Sequence, residues 1–197
     1  MDKFERNVFI NCPFDVAFES LLRPLLFTIV YLDFNPRITL EDSDSSVNRP
    51  SKILKLIRES KYSIHDLSRI KSASKNEFAR LNMPFELGID FGAKEFSKKH
   101  KEKKFLVISE KDHEYKRALS DFSGFDAKIH QNDPIELVIL VRDWFYDTIG
   151  ATGVPTGIKV WYEFQDFLLF YSRKRYADGY RGDKQLQSIY PVKEYIR

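Results

Sequence analysis

The chain has 197 residues, of which 43% are hydrophobic, 15% aromatic and 31% charged; this is typical of a globular protein and excludes a largely disordered one. Its 32 basic and 29 acidic residues give a net charge of +3, a balance too even to indicate nucleic-acid binding by itself. The single cysteine, Cys12, excludes an internal disulfide and a cysteine-based zinc cluster and fits a reducing compartment.

Short apolar runs alternate with longer segments of helical period, which is typical of an α/β domain with a parallel sheet. The strand candidates, in chain order, are RNVFINC (6–12), PRITLE (36–41), YSIHDLS (62–68), KKFLVIS (103–109) and DAKIHQ (126–131). The predicted helices cover residues 16–32, 51–60, 84–96, 113–122 and 133–149, and residues 69–82 are expected to form a surface loop. Together these segments predict a flavodoxin-like five-stranded parallel sheet with helices on both faces.

Local signals refine two of these helices. Asp15 is expected to be the N-cap of the first helix, and Pro24 is expected to kink or split it. In the last helix one face carries apolar residues at helical spacing, namely Val138, Val141, Phe145 and Ile149. This face is therefore expected to be buried.

The run GATGVPTG (150–157) predicts a hinge between a domain of residues 1–149 and a C-terminal extension of residues 150–197. The extension is aromatic-rich and is predicted to be mainly helical. It either packs on the edge of the domain or serves self-association or docking of a partner protein, because tyrosine and tryptophan carry much of the contact energy at interfaces. Seven Lys or Arg against three Asp or Glu in residues 173–197 give only weak support for contact with nucleic acid.

The N-terminal sequence MDKFERNVFINCPFD lacks the basic start and long apolar run of a secretory signal. The longest apolar stretch, LLRPLLFTIVYLDF, is interrupted by Arg23 and Pro24 and is too short for a membrane span. We therefore expect a cytoplasmic protein with no membrane partner. The histidines show no metal-ligand spacing, and the sequence lacks the P-loop and Rossmann glycine motifs, so we expect neither a metal nor a bound cofactor.

In an open parallel sheet, ligands bind beyond the carboxyl ends of the strands, where the connecting loops meet. The predicted strands place polar and aromatic residues at this edge, and the loop before the helix at 84–96 ends there as well. The resulting candidates for a binding site are Asn11, Cys12, Phe14, Asp15, Asp66, Ser68, Arg69, Asn82 and Glu86. His65 is expected to point into the interior of the third strand and is not included.

The segment NMPFELGIDFGAK predicts a helix that has its cap at Asn82 or Met83 and Glu86 in its first turn. Two interpretations of Glu86 remain open: it stabilises the positive end of the helix dipole, or it acts on a ligand. Gly88 and Gly92 lie four residues apart and predict a close approach of the helix backbone to the sheet or to a ligand.

Three motifs, FINCPFD, SIHDLSR and NMPFELG, follow one another in the chain. In this order they resemble the bacterial Toll/interleukin-1 receptor-like (TIR-like) nucleotide-binding domains, over residues 6–148. The E-L-G helix also resembles the E-x-G region of nucleoside deoxyribosyltransferases, whose glutamate works at an N-glycosidic carbon. Where the TIR-like group carries a serine in its first loop, this chain has Asn11 and Cys12.

This resemblance implies cleavage of the bond between nicotinamide and ribose, with NAD or a related nucleotide as the substrate. Nicotinamide leaves as a neutral molecule from a cationic ring, so a single carboxylate, that of Glu86, suffices to stabilise the oxocarbenium charge. Phe14 would stack on a ring of the substrate, and Arg69 or Arg37 would pair with the diphosphate.

The resemblance also implies a homo-oligomer, because TIR-like enzymes commonly complete their sites between subunits, and a role as an effector of bacterial defence. Two alternatives from other functional classes remain open. One is a catalytically silent module that binds a nucleotide signal. The other is a scaffold that assembles through its aromatic C-terminal extension.

Overall fold

Five short strands form a single parallel sheet in this computed structural model, which describes residues 3–72, 79–112, 114–122, 124–186, 188–190 and 192–196. The strands are β1 (Asn7–Asn11), β2 (Asn35–Arg37), β3 (Tyr62–Asp66), β4 (Lys104–Ser109) and β5 (Lys128–Ile129). Their order is β2-β1-β3-β4-β5, and every neighbouring pair is parallel. This is the flavodoxin-like order and confirms the predicted fold class.

The helices connect the strands and then form the C-terminal region. In chain order they are α1 (Glu19–Tyr31), α2 (Arg49–Arg58), α3 (Asn82–Phe96), α4 (Glu114–Ala118), α5 (Pro134–Trp144), α6 (Gly157–Ala177), α7 (Asp183–Leu186) and α8 (Val192–Tyr195). A π-helical turn, Phe145–Ile149, extends α5. Residues 73–78 of the predicted surface loop and His113, where a helix was predicted to begin, lie outside the described residues.

Helices cover both faces of the sheet because the side chains of each strand alternate between them. Val8 and Ile10 of β1 pack in the core beneath α1 and α5. Phe9 lies between them in sequence and packs against α2 on the opposite face. The residues in register with Phe9 and Asn11, namely Ser63 and His65 of β3, therefore face α2 and α3.

Two local predictions about the first half of the chain need revision. Asp15 does act as an N-cap, but of the short 3-10 turn Val16–Phe18, after which α1 runs through Pro24 without being split. The predicted strand PRITLE contributes only its first residues to β2, because the chain turns into a 3-10 helix at Thr39–Glu41. The predicted face of α5 is confirmed: Val138, Val141 and Phe145 are fully buried.

The glycines of α3 do not bring its backbone close to another element, so the predicted approach to the sheet is wrong, and the alternative approach to a ligand stays a prediction. A Cβ atom built on Gly88 would meet nothing within 4 Å, and one on Gly92 would make only an ordinary contact with Phe96. The close approach occurs instead at Gly157, where an added Cβ would lie 2.8 Å from the Cα of Ile139. Gly157 therefore sets how tightly α6 packs on α5.

The C-terminal extension packs on the domain, as the first of the two sequence alternatives expected. Phe27 of α1 contacts Phe164 and Phe167 of α6, with ring centroids 5.5 and 5.2 Å apart. Tyr195 of α8 donates a hydrogen bond of 3.2 Å to the carbonyl of Arg23 and belongs to the main hydrophobic core. Within the described residues no helix is both long enough and apolar enough to cross a bilayer.

Candidate functional site

The sheet reverses its direction of growth at β1, since β2 lies on one side of this strand and β3 on the other. Such a switch point opens a crevice at the carboxyl ends of the two central strands, which is where α/β proteins bind ligands. Asn11 and Cys12 stand at the end of β1, Asp66 stands at the end of β3, and α3 begins beside them. The geometry therefore brings these predicted residues to one edge of the sheet.

Glu86 lies in the second turn of α3, not in the first. The helix begins at Asn82 and tolerates Pro84 in its first turn, so Leu81 becomes the capping residue and Asn82 is not the cap. No acidic residue occupies the first turn, and Glu86 is only 4% exposed. Helix capping therefore does not account for Glu86.

The carboxyl of Glu86 is buried and, within the described residues, is not part of an ion pair. Burial raises its pKa from 4.5 to about 7, although the charge of Arg49 and a hydrogen bond from Asn82 both act to lower it. A carboxyl with this pKa is present in both protonation states near neutral pH, as a group that accepts or releases a proton there must be. Such shifts are typical of functional sites, though structural pairs also cause them.

Cys12 lies in the field of several carboxylates. Burial, and then the charges of Asp66, Glu86 and Asp15, raise the pKa of its thiol well above 9.0. The group is thus a neutral thiol and a poor nucleophile. The charges of these three carboxylates thus all act on the thiol that follows β1.

A buried polar network forms the floor of the candidate site, between the sheet and α3. The side-chain amide of Asn11 donates to the carbonyl of Met83 at 2.8 Å and to Nδ1 of His65 at 3.0 Å. Nδ1 of His65 must then accept, so the ring carries its proton on Nε2 and donates it to Asp90 at 3.1 Å. The amide nitrogen of Asn11, a predicted substrate ligand, is thus used to anchor the first turn of α3.

Asp90 ends this network in a buried ion pair. Its Oδ1 lies 3.0 Å from Nζ of Lys103, and both side chains have no exposed surface. Burial alone would raise the pKa of Asp90, but the hydrogen bond from His65 and the charge of Lys103 hold it below its ordinary value. Asp90 is therefore an ionised group held in place by His65 and Lys103.

Asp66 and Ser68 are held by internal hydrogen bonds. Asp66 has no exposed surface; its Oδ1 accepts from the backbone N–H of Ser68 at 2.8 Å, and its Oδ2 lies 3.1 Å from Nε2 of His130. The same nitrogen lies 3.1 Å from Oγ of Ser68, which also accepts from the backbone of Glu110 at 2.8 Å. These two predicted ligands therefore join the ends of β3, β4 and β5.

Arginine side chains surround the mouth of the site. Arg69 and Arg80 reach the carboxylate of Asp15 at 3.8 and 3.7 Å, and the guanidinium of Arg49 lies 6.0 Å from the ring centre of Phe14. Such ion pairs, partly exposed to water and longer than 3.5 Å, are weak. These arginines can therefore exchange a carboxylate partner for a phosphate at little cost.

Arg37, the last residue of β2, is paired with two carboxylates. Its guanidinium pairs with Glu41 at 2.7 Å and with Glu59 at 3.2 Å. Burial alone would lower the pKa of Arg37, but these two carboxylates raise it above its ordinary value. It lines a groove of about 1120 Å³ that follows the outer edge of β2, which we call the β2 groove; its wall also includes Phe4, Phe34 and Pro36. Both carboxylate partners of Arg37 thus line the β2 groove with it, and its predicted role as a diphosphate ligand stays a prediction.

Sequence reasoning missed several residues that shape the site: Arg49, Arg80, Asp90, Lys103 and His130. One of them carried a usable signal, because Asp90 follows Glu86 by four residues and so shares its helix face. The inward orientation predicted for His65 is confirmed, since the side chain is fully buried. The others are joined by contacts between distant parts of the chain, which no local pattern encodes.

No protein-family model matches this chain, and neither a curated protein nor a solved structure is significantly similar to it. One fold supports many unrelated functions, so the flavodoxin-like sheet does not identify an activity. The functional argument accordingly depends on the chemistry of the side chains around Glu86.

Proposed function

We propose that this chain cleaves the N-glycosidic bond of NAD or a related nucleotide and that Glu86 is the catalytic residue. The observation that carries the proposal is the buried carboxyl of Glu86, with its pKa raised to about 7, at the switch point of a parallel sheet. The resemblance of the three motifs to TIR-like domains supports the same reaction. It also supports a cytoplasmic effector of bacterial defence that works as a homo-oligomer.

The reaction requires one carboxylate. The bond between ribose C1′ and the nicotinamide nitrogen breaks, its electron pair goes to the pyridinium ring, and nicotinamide leaves as a neutral molecule. The ionised form of Glu86 stabilises the resulting oxocarbenium ion, an interaction that gains strength in a site shielded from water. Water then attacks C1′ and gives its proton to Glu86, which releases it and completes the hydrolysis to ADP-ribose.

Groups around Glu86 fit the remainder of such a substrate. Arg49, Arg69 and Arg80 supply guanidinium groups for a diphosphate. Phe85 is 67% exposed and lies next to Glu86 in the sequence, so its ring is available for stacking, beside the predicted role of Phe14.

A second candidate function is binding of a nucleotide signal without turnover. The low exposure of Glu86 and the internal hydrogen bonds of Asp66 favour it, because both carboxylates are then parts of a rigid floor. This alternative uses the same arginines and the same crevice. It differs in predicting tight binding and no release of nicotinamide.

The deciding experiment is the release of nicotinamide from NAD by the purified protein, at low and at high protein concentration. Glu86→Gln is expected to lower the rate by about a hundredfold or more, because it removes the charge that stabilises the transition state. Glu95→Gln is the matched control, since Glu95 is an exposed carboxylate of the same helix. Its rate should equal that of the parent protein.

Each other outcome has a defined meaning. Binding of NAD without release at any concentration would replace catalysis by the silent binding function. Equal rates for the parent and Glu86→Gln would remove Glu86 from the mechanism. Neither binding nor release would overturn both functions, provided that circular dichroism confirms a folded chain.

A further inference from the structure

The β2 groove concentrates positive charge from distant parts of the chain. Lys3 comes from the N-terminal 3-10 turn, Lys55 and Arg58 from the last turns of α2, Lys99 from the turn after α3, and Lys193 from α8. These side chains are exposed and form no ion pair within the described residues. The groove is lined by six basic and four acidic residues, so its net charge is +2.

The four acidic residues of the groove offset only part of this charge, because each has a basic partner, although Glu41 and Glu59 share one. Glu41 and Glu59 pair with Arg37 at 2.7 and 3.2 Å. Asp42 lies 3.5 Å from Lys52, and Asp33 lies 2.9 Å from Arg6. The exposed lysines and Arg58 therefore set the potential inside the concavity, where field lines are focused.

Apolar side chains form the floor between the cations. Phe34 and Pro36 are buried beside the outer edge of the sheet, and Phe4 and Ile196 are half-buried next to them. One face of the Phe34 ring is already covered by the guanidinium of Arg6, 5.3 Å from the ring centre. A groove with apolar floor and cationic rim fits a ligand that combines a flat ring with several negative charges.

From these features we infer that the β2 groove binds a nucleoside polyphosphate, at a site separate from that of Glu86. The phosphates lie among Lys55, Arg58, Lys99 and Lys193, and the base lies against the floor. The groove extends from Asn7 and Glu59, at the amino ends of β1 and β3, to Glu41 and Asp42 beyond β2. Cys12, Asp66 and Glu86 do not line it, so it is separate from the candidate site at the ends of β1 and β3.

An acidic peptide or a nucleic-acid duplex fits the groove less well. A peptide that adds a strand to the sheet needs backbone donors on the edge strand, but β2 has only three residues and its central residue is Pro36, which has no N–H. A duplex needs a basic surface that follows its backbone, whereas these cations converge on one concavity. A compact polyanion needs neither backbone donors on the edge strand nor an extended basic surface, and it therefore fits the groove better.

The test is titration calorimetry of the full chain with ATP, with inorganic tripolyphosphate and with adenosine as separate probes. ATP should bind more tightly than tripolyphosphate, adenosine should bind most weakly, and added salt should weaken the first two. The double variant Lys55→Glu/Lys99→Glu should weaken ATP binding by about tenfold or more. Lys98→Glu is the matched control, because Lys98 is exposed beside Lys99 but does not line the groove.

The proposal is overturned if the parent binds neither ATP nor tripolyphosphate, or if the double variant, folded by circular dichroism, binds both as the parent does. It is also overturned if Arg69→Glu abolishes ATP binding while the double variant retains it, because ATP then binds at the Glu86 end. The nicotinamide assay does not enter into these outcomes. The groove and the catalytic proposal can therefore fail independently.

Discussion

Glu86 and Asp90 lie one turn apart on the buried face of α3, yet their pKa values are shifted in opposite directions. For Asp90 the hydrogen bond from His65 and the charge of Lys103 outweigh burial, and the pKa is lowered. For Glu86 burial outweighs Arg49 and Asn82, and the pKa rises to about 7. At the residue scale the structure therefore separates a carboxyl group that is kept ionised from one that is protonated in part near neutral pH.

The shift at Glu86 predicts how stability depends on pH. A carboxyl whose pKa is raised in the folded state stabilises the fold fully below its unfolded pKa, and this stability is lost as pH rises through about 7. A change from 4.5 to about 7 corresponds to about 3 kcal/mol as an upper bound. Glu86→Gln, which imitates the protonated form, should therefore be more stable than the parent at pH 8.

Urea unfolding at two pH values measures how the stability of Glu86→Gln relative to the parent changes with pH. The difference in unfolding free energy between Glu86→Gln and the parent should be small near pH 5 and grow to as much as about 3 kcal/mol near pH 8. Glu95→Gln should show no such change with pH. A difference for Glu86→Gln that is equal at both pH values would mean that the charge of Glu86 is compensated in the folded state.

At the scale of elements, two glycines in helices have opposite roles. Gly157 allows the start of α6 to lie against the backbone of α5, with no room for a methyl group next to Ile139. Gly88, in the middle of α3, has open space where a Cβ would stand. The same substitution is therefore expected to have opposite effects at the two positions.

Gly157→Ala should destabilise the protein by about 1–3 kcal/mol, because a Cβ 2.8 Å from backbone atoms forces the helices apart. Gly88→Ala should stabilise it by about 0.5–1 kcal/mol, because alanine loses less conformational freedom in a helix. Thermal and urea unfolding of both variants measure the two effects. Equal stability of Gly157→Ala and the parent would show that α6 shifts freely on α5.

At the scale of the whole molecule, the C-terminal extension has an inner and an outer side. Tyr171, Val192 and Tyr195 belong to the main core, so deleting residues 157–197 would remove core side chains as well as any interface. The outer side of α6 exposes Leu169 and Phe170, by 61% and 65%. Adjacent exposed apolar side chains of this size are typical of association surfaces.

Point substitutions therefore test self-association better than truncation. We expect the parent to form concentration-dependent oligomers in analytical ultracentrifugation. The double variant Leu169→Glu/Phe170→Glu should remain a monomer, because association would bury glutamate side chains that have no partner of opposite charge. Leu54→Glu, on an exposed position of α2, is the control and should not change the mass. A monomeric parent at all concentrations would contradict both the oligomer and the scaffold hypotheses.

The sequence by itself determined the elements and their order. Apolar periodicity identified the buried face of α5, and the alternation of strands and helices predicted the parallel sheet and its ligand-binding edge. It placed Glu86 near Cys12 and Asp66, since topology brings the ends of parallel strands together. These features follow from steric and hydrophobic preferences of neighbouring residues, which the local sequence carries.

Only the tertiary structure decided the burial, the contacts and the electrostatic surroundings of those residues. The helix start at Asn82 moved Glu86 out of the first turn, and the contacts of Asp90 with His65 and Lys103 fixed which carboxyl keeps its charge. The β2 groove likewise arises from segments that are far apart in the chain. Desolvation and long-range charge depend on everything packed around a group, and that environment exists only once the chain has folded.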